Sequence, residues 1–253
     1  MDITMQVKNP IFYFLLVGSI FCNNTGRLYL YIPGDLMLGG LFPVHFSKGE
    51  VCDAKIDPDL GIRLLDAATF SLSEVNVFLK NAGIKLGFLA YDTCYNINPA
   101  LEHSLEFAQQ SFYKKDGKTG QNNCSAAING GVIGVIGPVT SRQTQHVASL
   151  LGLFKIPQIS ATSTSSILND RQKYKYFKRT VPSDTYQAKG IVELLSANGW
   201  EYVSILYEDS SYGSYGYKDI KEFAKLDNIC IGKNSCCYVY AVSECIPNYP
   251  PSS

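Results

Sequence analysis

The sequence predicts an α/β fold built on a doubly wound, mostly parallel sheet. Two observations carry this. Apolar runs of strand length alternate with amphipathic stretches of helical length, the pattern that parallel strands joined by helical crossovers produce. The composition, 46% hydrophobic and only 17% charged over 253 residues, can fill a sizeable core. No low-complexity tract or obvious linker interrupts the alternation.

The elements follow in order. Lys8 precedes the apolar stretch Ile11–Cys22, and polar Asn23-Asn24-Thr25-Gly26 comes next, so residues 1–24 read as a signal peptide. The alternative is a buried core segment. Leu36–Phe42 reads as the first buried strand, and 61–78 as a helix with Ile62, Leu65, Leu72 and Val75 on its core side. A strand at 84–91 and a helix at 99–113 come next, then a polar loop from Lys114 to Ala127. Val132–Gly137 is a glycine-punctuated strand, 141–154 a helix, 156–160 a strand and 177–181 a short strand. Asp184 with Gln187 three residues on resembles a helix-opening capping box, for a helix reaching Asn198. Residues 202–207 read as a further strand and 216–226 as a further helix. From Gly232 neither period persists, and 232–253 reads as an appended tail.

Composition excludes several functions. Lys plus Arg number 22 and Asp plus Glu 22, so no basic surplus offers itself to nucleic acid. No apolar run reaches the roughly 18 residues that span a bilayer. Eight cysteines suit an oxidising compartment, and the sequons at Asn23 and Asn123 agree with it. Catalytic templates fail in turn. The three histidines, His45, His103 and His146, lie in no metal-spacing motif. Asp116-Gly117-Lys118-Thr119 ends like a phosphate loop, but Phe112 stands where its first glycine belongs. Gly130–Gly134 lacks the dinucleotide turn, and Gly213–Gly216 is too short for a nucleophile elbow. No enzyme activity, cofactor or metal is expected.

Binding chemistry fares better. In open α/β sheets ligands sit beyond the carboxyl ends of the strands, and small hydroxyl residues gather there. Thr140-Ser141 opens a helix, whose free N–H groups and dipole favour a carboxylate. Thr162-Ser163-Thr164-Ser165-Ser166 follows the fourth strand, and Asp184 after the fifth could hold an ammonium. Tyr212, near Asp209, could cover a ligand. Together they suit an α-amino acid. The same residues also suit plain helix caps and turns, and position alone leaves both readings open.

Gly34–Pro43, Asp92-Thr93-Cys94, Ala100–Phe107, Leu150–Ser160, Arg179–Asp184 and Asn228-Ile229-Cys230-Ile231 follow one another along the chain. In sequence and order these stretches resemble the extracellular Venus-flytrap domain of family C G-protein-coupled receptors. The resemblance implies a periplasmic-binding-protein-like (type I) two-lobed clamp, with lobe 1 at 30–185 and the start of lobe 2 at 186–231. It implies that Ser141 and Thr164 contact the ligand's carboxylate and amine, with Thr162 and Ser163 beside them. It also implies Asp184 as an amine contact, Tyr212 as a lid from the second lobe, and Cys52–Cys94 as an intralobe disulfide. Cys124 corresponds to the cysteine that cross-links two protomers, in a homodimer formed through lobe 1. Cys230 corresponds to the cysteine that ties the clamp to a cysteine-rich neck. Where glutamate-binding members read Gly-Ile-Gln-Arg, this chain reads Gly61-Ile62-Arg63-Leu64. One helical position is about 100° of rotation, so Arg63 should turn away and Leu64 face the ligand, which points to a neutral or apolar L-amino acid. The second lobe is expected to be incomplete, through a truncated isoform or gene model. A G protein would then be reached only through a seven-helix domain absent from the chain. The full-length receptor would sit on the outer face of the plasma membrane. The alternative is a secreted amino-acid-binding protein or decoy that never signals.

Overall fold

The computed structural model describes residues 19–22, 28–49, 51–113, 131–232 and 235–237. Strands β1 (Ser19–Cys22), β2 (Leu28–Ile32), β3 (Leu36–Phe42), β4 (His45–Lys48) and β5 (Val51–Ile56) precede helix α1 (Gly61–Leu79). Next come β6 (Leu86–Asp92), α2 (Ile97–Tyr113), β7 (Val132–Ile136), α3 (Ser141–Leu153), β8 (Gln158–Ser160) and β9 (Phe177–Arg179). The chain continues through α4 (Asp184–Ala197), β10 (Tyr202–Val203), β11 (Leu206–Glu208), α5 (Ser211–Leu226), β12 (Cys230–Ile231) and β13 (Ser235–Cys237).

The main sheet has seven strands in the order β1-β2-β6-β3-β7-β8-β9. From β6 to β9 it is parallel, while β1 and β2 run antiparallel at one edge. The chain crosses from β3 to β6 on one side and returns to β7 on the other. That reversal opens a crevice at the carboxyl ends of β3 and β7. Two cores cover the sheet. Met37, Leu41, Leu89, Phe107, Val135, Val147 and Leu151 fill one face beneath α2 and α3. Phe42, Leu72, Phe88 and Ala90 fill the other, with Leu64, Leu65 and Ala68 of α1 packed on them. The period-2 alternation of β3 divides the two sets.

At the middle of β3, Gly39 and Gly40 let an aromatic ring press on each face. A Cβ at Gly39 would lie 2.8 Å from the Phe107 ring, and one at Gly40 2.6 Å from the Phe88 ring. Neither face could close as tightly over a side chain.

Ser19–Cys22 forms the edge strand β1, and the rest of the segment read as a signal peptide, 1–18 and 23–24, lies outside the described residues. The structure corrects several expectations. The β4–β5 hairpin, expected nowhere, pairs short, mostly exposed strands, so the alternation of Cys52, Ala54 and Ile56 with Asp53 and Lys55 marks no buried face. On α1, Leu72 is buried and Leu65 half-buried, whereas Ile62 and Val75 are exposed. The buried stripe instead passes through Leu64, Leu65, Ala68 and Leu72. Helix α4 is capped by Ser183, whose hydroxyl accepts the Thr185 N–H at 3.3 Å, so Asp184 is the first helical residue rather than the cap. Helix α5 begins five residues before the expected Gly216, because the Ser210 hydroxyl caps it from the Gly213 N–H. The strand expected at 202–207 is two strands. Val203 pairs with Ile231 but Leu206 with Ser235, so the register slips by one residue between them. Part of the expected tail, Ser235–Cys237, completes that second ladder.

Asp57 leads the chain into α1. It is buried, and its carboxylate accepts the N–H groups of Asp59 and Leu60 at 3.1 Å each, as well as the Tyr95 hydroxyl. The Tyr95 hydrogen bond, aided by those N–H groups and opposed by burial, holds its carboxyl below the usual range. Reciprocally, burial and the Asp57 charge push the Tyr95 phenol well above its ordinary value. A depressed carboxyl stabilises the fold above its unfolded value near 3.8, and that stability is lost as pH falls through the lower folded value. Asp57→Ala should therefore cost about 1–2 kcal/mol at neutral pH. Denaturant titrations between pH 2 and 6 should show the difference shrinking below about pH 4. A pH-independent difference would contradict this assignment.

Candidate ligand-binding site

The site gathers at the carboxyl ends of β7, β8 and β9, beside the switch point. Thr140 caps α3, accepting the Gln143 N–H at 3.3 Å. The N–H groups of Ser141 and Arg142, ahead of the first helical bond, find no acceptor among the described residues and present positive partial charge. The Ser141 hydroxyl accepts the Ser165 N–H at 3.2 Å, tying the loop after β8 to the helix start.

That loop is held by its own hydroxyls. Thr162 donates to the Val139 carbonyl at 2.6 Å. Ser163 is fully buried, sharing a 2.7 Å hydrogen bond with Thr144 and accepting one from Ser160 at 3.0 Å. Its hydroxyl is spent inside the protein, so it shapes the loop and does not face the crevice. Thr164 is half-buried, and its carbonyl accepts the Asp184 N–H at 2.9 Å.

Asp184 is the focus. Burial raises its carboxyl above the ordinary range, outweighing the hydrogen bonds from Thr164 and Tyr212 and the Arg179 charge, which pull it down; Asp219 adds to the rise. Thr164, Asp184 and Tyr212, from three different elements, thus lie together. Arg179 was not foreseen. Its guanidinium grips the carbonyls of Ser163 and Ser165, at 3.2 and 3.0 Å, and Asn169 Oδ1. Burial lowers its pKa while Asp184 raises it. A basic residue on a short strand, in a run of other basic residues, carried no signal of such a role. Arg179 positions the loop that presents Thr164.

At the other side of the crevice, Leu64 and Thr162 line an apolar cavity of about 320 Å³ with Phe42, Ala68, Ile136 and Val139. Arg63 is turned to solvent, 3.5 Å from exposed Asp59. Leu64 and Arg63, neighbours on α1, thus face different surroundings.

The model of the receptor family ligand binding region matches residues 63–238. The chain belongs to this family. Its relatives include the metabotropic glutamate receptor of Drosophila melanogaster, 37% identical over 228 residues, 86% of this chain and 22% of that protein. Metabotropic glutamate receptor 4 of Rattus norvegicus is 40% identical over 218 residues, 80% of this chain and 23% of the relative. The chain spans less than a quarter of the length of these curated relatives, which are receptors by name and not enzymes. As a family C receptor ligand-binding domain, it has the mostly parallel α/β sheet that the resemblance implied. No described helix is long and apolar enough to cross a membrane.

The implied Cys52–Cys94 disulfide is formed and joins β5 to the turn after β6. Cys230, in β12, is exposed and unpaired. Asn23, Asn123 and Cys124 lie outside the described residues.

Proposed function

We propose that this chain is the amino-acid-binding extracellular region of a family C G-protein-coupled receptor, acting as a dimer. The supporting observation is the meeting of Asp184, Thr164 and Tyr212 beside the α3 N-terminus. An α-amino acid brings one anion and one cation. The Ser141 and Arg142 N–H groups suit its carboxylate, and Asp184 suits its ammonium, with the Tyr212 ring over both. Thr162 helps shape the side-chain end. Because Tyr212 belongs to lobe 2 while Ser141 and Asp184 belong to lobe 1, one ligand draws on both lobes, and closure follows binding. Signal transfer to a G protein would run through a seven-helix domain, as in the full-length relatives. Dimerisation is placed on lobe 1 through α2 and α3, where Leu105 and Leu153 are exposed. In that arrangement Cys124 cross-links the pair.

Leu64 sets the side-chain preference. A buried side-chain carboxylate beside Leu64 would have no cation to pair with, so the ligand is a neutral or apolar L-amino acid. Residues 34–231 grafted into the ectodomain of rat metabotropic glutamate receptor 4 supply a full clamp for calorimetry. Leu64→Arg should improve glutamate affinity by about tenfold or more, the scale of a charge-assisted pair. Arg63→Ala should change amino-acid affinity by less than about twofold, as befits an exposed ion pair. Tight glutamate binding lost in Arg63→Ala would overturn the reading.

A further inference from the structure

The stretch from Arg171 to Arg179 holds five basic residues and no acidic one, in a chain whose net charge is zero. Two of them are engaged by the chain's own carbonyls: Arg179 in the loop already described, and Arg171, itself exposed, on the Phe177 carbonyl at 3.0 Å. The other three cannot follow. Tyr174 and Phe177 are each 1% exposed, packed with Leu168 and Ala148, and they pin the segment so that Lys173, Lys175 and Lys178 face solvent. Lys178 lies on β9, the edge strand of the main sheet. Lys155 joins them. It is exposed in a left-handed turn (φ 59°) just before β8, the strand that pairs with β9. Among the described residues no carboxylate lies within ion-pair distance of any of the four. Lys173 and Lys175 instead lie over the rings of Tyr174 and Tyr176, at 5.1 and 6.0 Å.

We infer that this lysine edge binds a linear sulfated polysaccharide, an assignment of partner that rests on the extracellular reading above. A cluster of exposed lysines on and just before the last two strands of the main sheet, with no carboxylate partner among the described residues, suits a repeating polyanion. Protein interfaces are depleted of lysine at their centres and need apolar or aromatic anchors in pockets. Here the aromatic rings that would serve, Tyr174 and Phe177, are already buried. Anionic lipid concentrates on the cytoplasmic leaflet, which leaves the sulfated chains of the cell surface as the polyanion within reach. The edge follows the loop gripped by Arg179, so an occupied edge would sit on lobe 1 without entering the crevice.

The test uses the full 253-residue chain, secreted from cells, and a fluorescein-labelled heparin fragment titrated at several salt concentrations. The triple variant Lys173→Gln, Lys175→Gln, Lys178→Gln should lose tenfold or more in affinity. The slope of log K against log salt should fall by about 2, three contacts at about 0.7 each. A second triple variant, Lys80→Gln, Lys85→Gln, Lys225→Gln, removes the same charge from exposed positions elsewhere and should stay within about threefold. Vesicles containing phosphatidylserine should bind more weakly than heparin. Equal losses in the two triple variants, tighter binding to the vesicles, or no heparin binding at about 150 mM salt would each overturn the inference. Heparin binding that persists in a chain binding no amino acid would count against the receptor reading alone.

Discussion

Asp184→Asn is expected to lower amino-acid affinity by a hundredfold or more while leaving the melting temperature unchanged or slightly raised. The two effects separate because burial is the largest influence on this carboxylate and works against its charge. Removing the charge relieves that penalty in the empty protein. In the complex the same change leaves a ligand ammonium without its counter-ion, and breaking a buried charge pair costs about 3–5 kcal/mol. A raised carboxyl also fixes the pH dependence. Only the ionised form pairs with an ammonium, so affinity should be level at neutral pH and fall on acidification through the Asp184 pKa. That fall begins at a higher pH than an exposed aspartate would give. Calorimetry on the grafted ectodomain between pH 4 and 7, with wild type and Asp184→Asn, tests both statements. Undiminished affinity in the variant would remove Asp184 from the site.

Replacing Cys52 or Cys94 by serine is expected to destabilise lobe 1 by about 4 kcal/mol, the chain-entropy value for the 42-residue separation they close. Against a typical domain stability of about 5–15 kcal/mol, such a loss reduces secretion. The bridge also anchors the β4–β5 hairpin. Without it, the hairpin would hang mainly on Asp92, which accepts the Val44 and His45 N–H groups at 2.9 and 3.3 Å and meets His45 Nδ1 at 2.5 Å. Urea midpoints with and without reductant measure the effect. Equal midpoints would show that the bridge contributes nothing.

The sheet was legible because its strands are buried on both faces and therefore read as unbroken apolar runs, Leu36–Phe42 and Leu86–Asp92 among them. Helices α2 and α3 were legible from their periodicity. The hairpin was not, since strands of four and six residues that are mostly exposed bury no face for a pattern to mark. The start of α5 was hidden because Ser211, Gly213 and Ser214 have turn composition, and only the Ser210 cap in three dimensions shows that the helix begins there. In the site, residue type and strand-end position singled out Thr140-Ser141, the run 162–166, Asp184 and Tyr212, and the resemblance narrowed the first two to Ser141 and Thr164. They could not separate Thr164, at the crevice, from Ser163, fully buried next to it. That distinction depends on which way a loop turns. Arg179 escaped for the same reason, because its partners are carbonyls, and carbonyls are invisible in a sequence.

Gly39 and Gly40 also bear on how such a domain can diversify. Even alanine at either position would force an aromatic ring, and the helix or strand behind it, to retreat. The helix that carries Leu64 and the helix expected to meet a second protomer rest on opposite sides of these same two residues. Drift at the sheet's centre would disturb both together, so inheritable novelty is confined to the strand tips, the loops beyond them and the exposed flank of each helix. On the proposed assignments, new ligand preferences can then be tried at Leu64 or after β8 without renegotiating a dimer. A lineage of receptors could change its chemical taste many times over an unaltered frame.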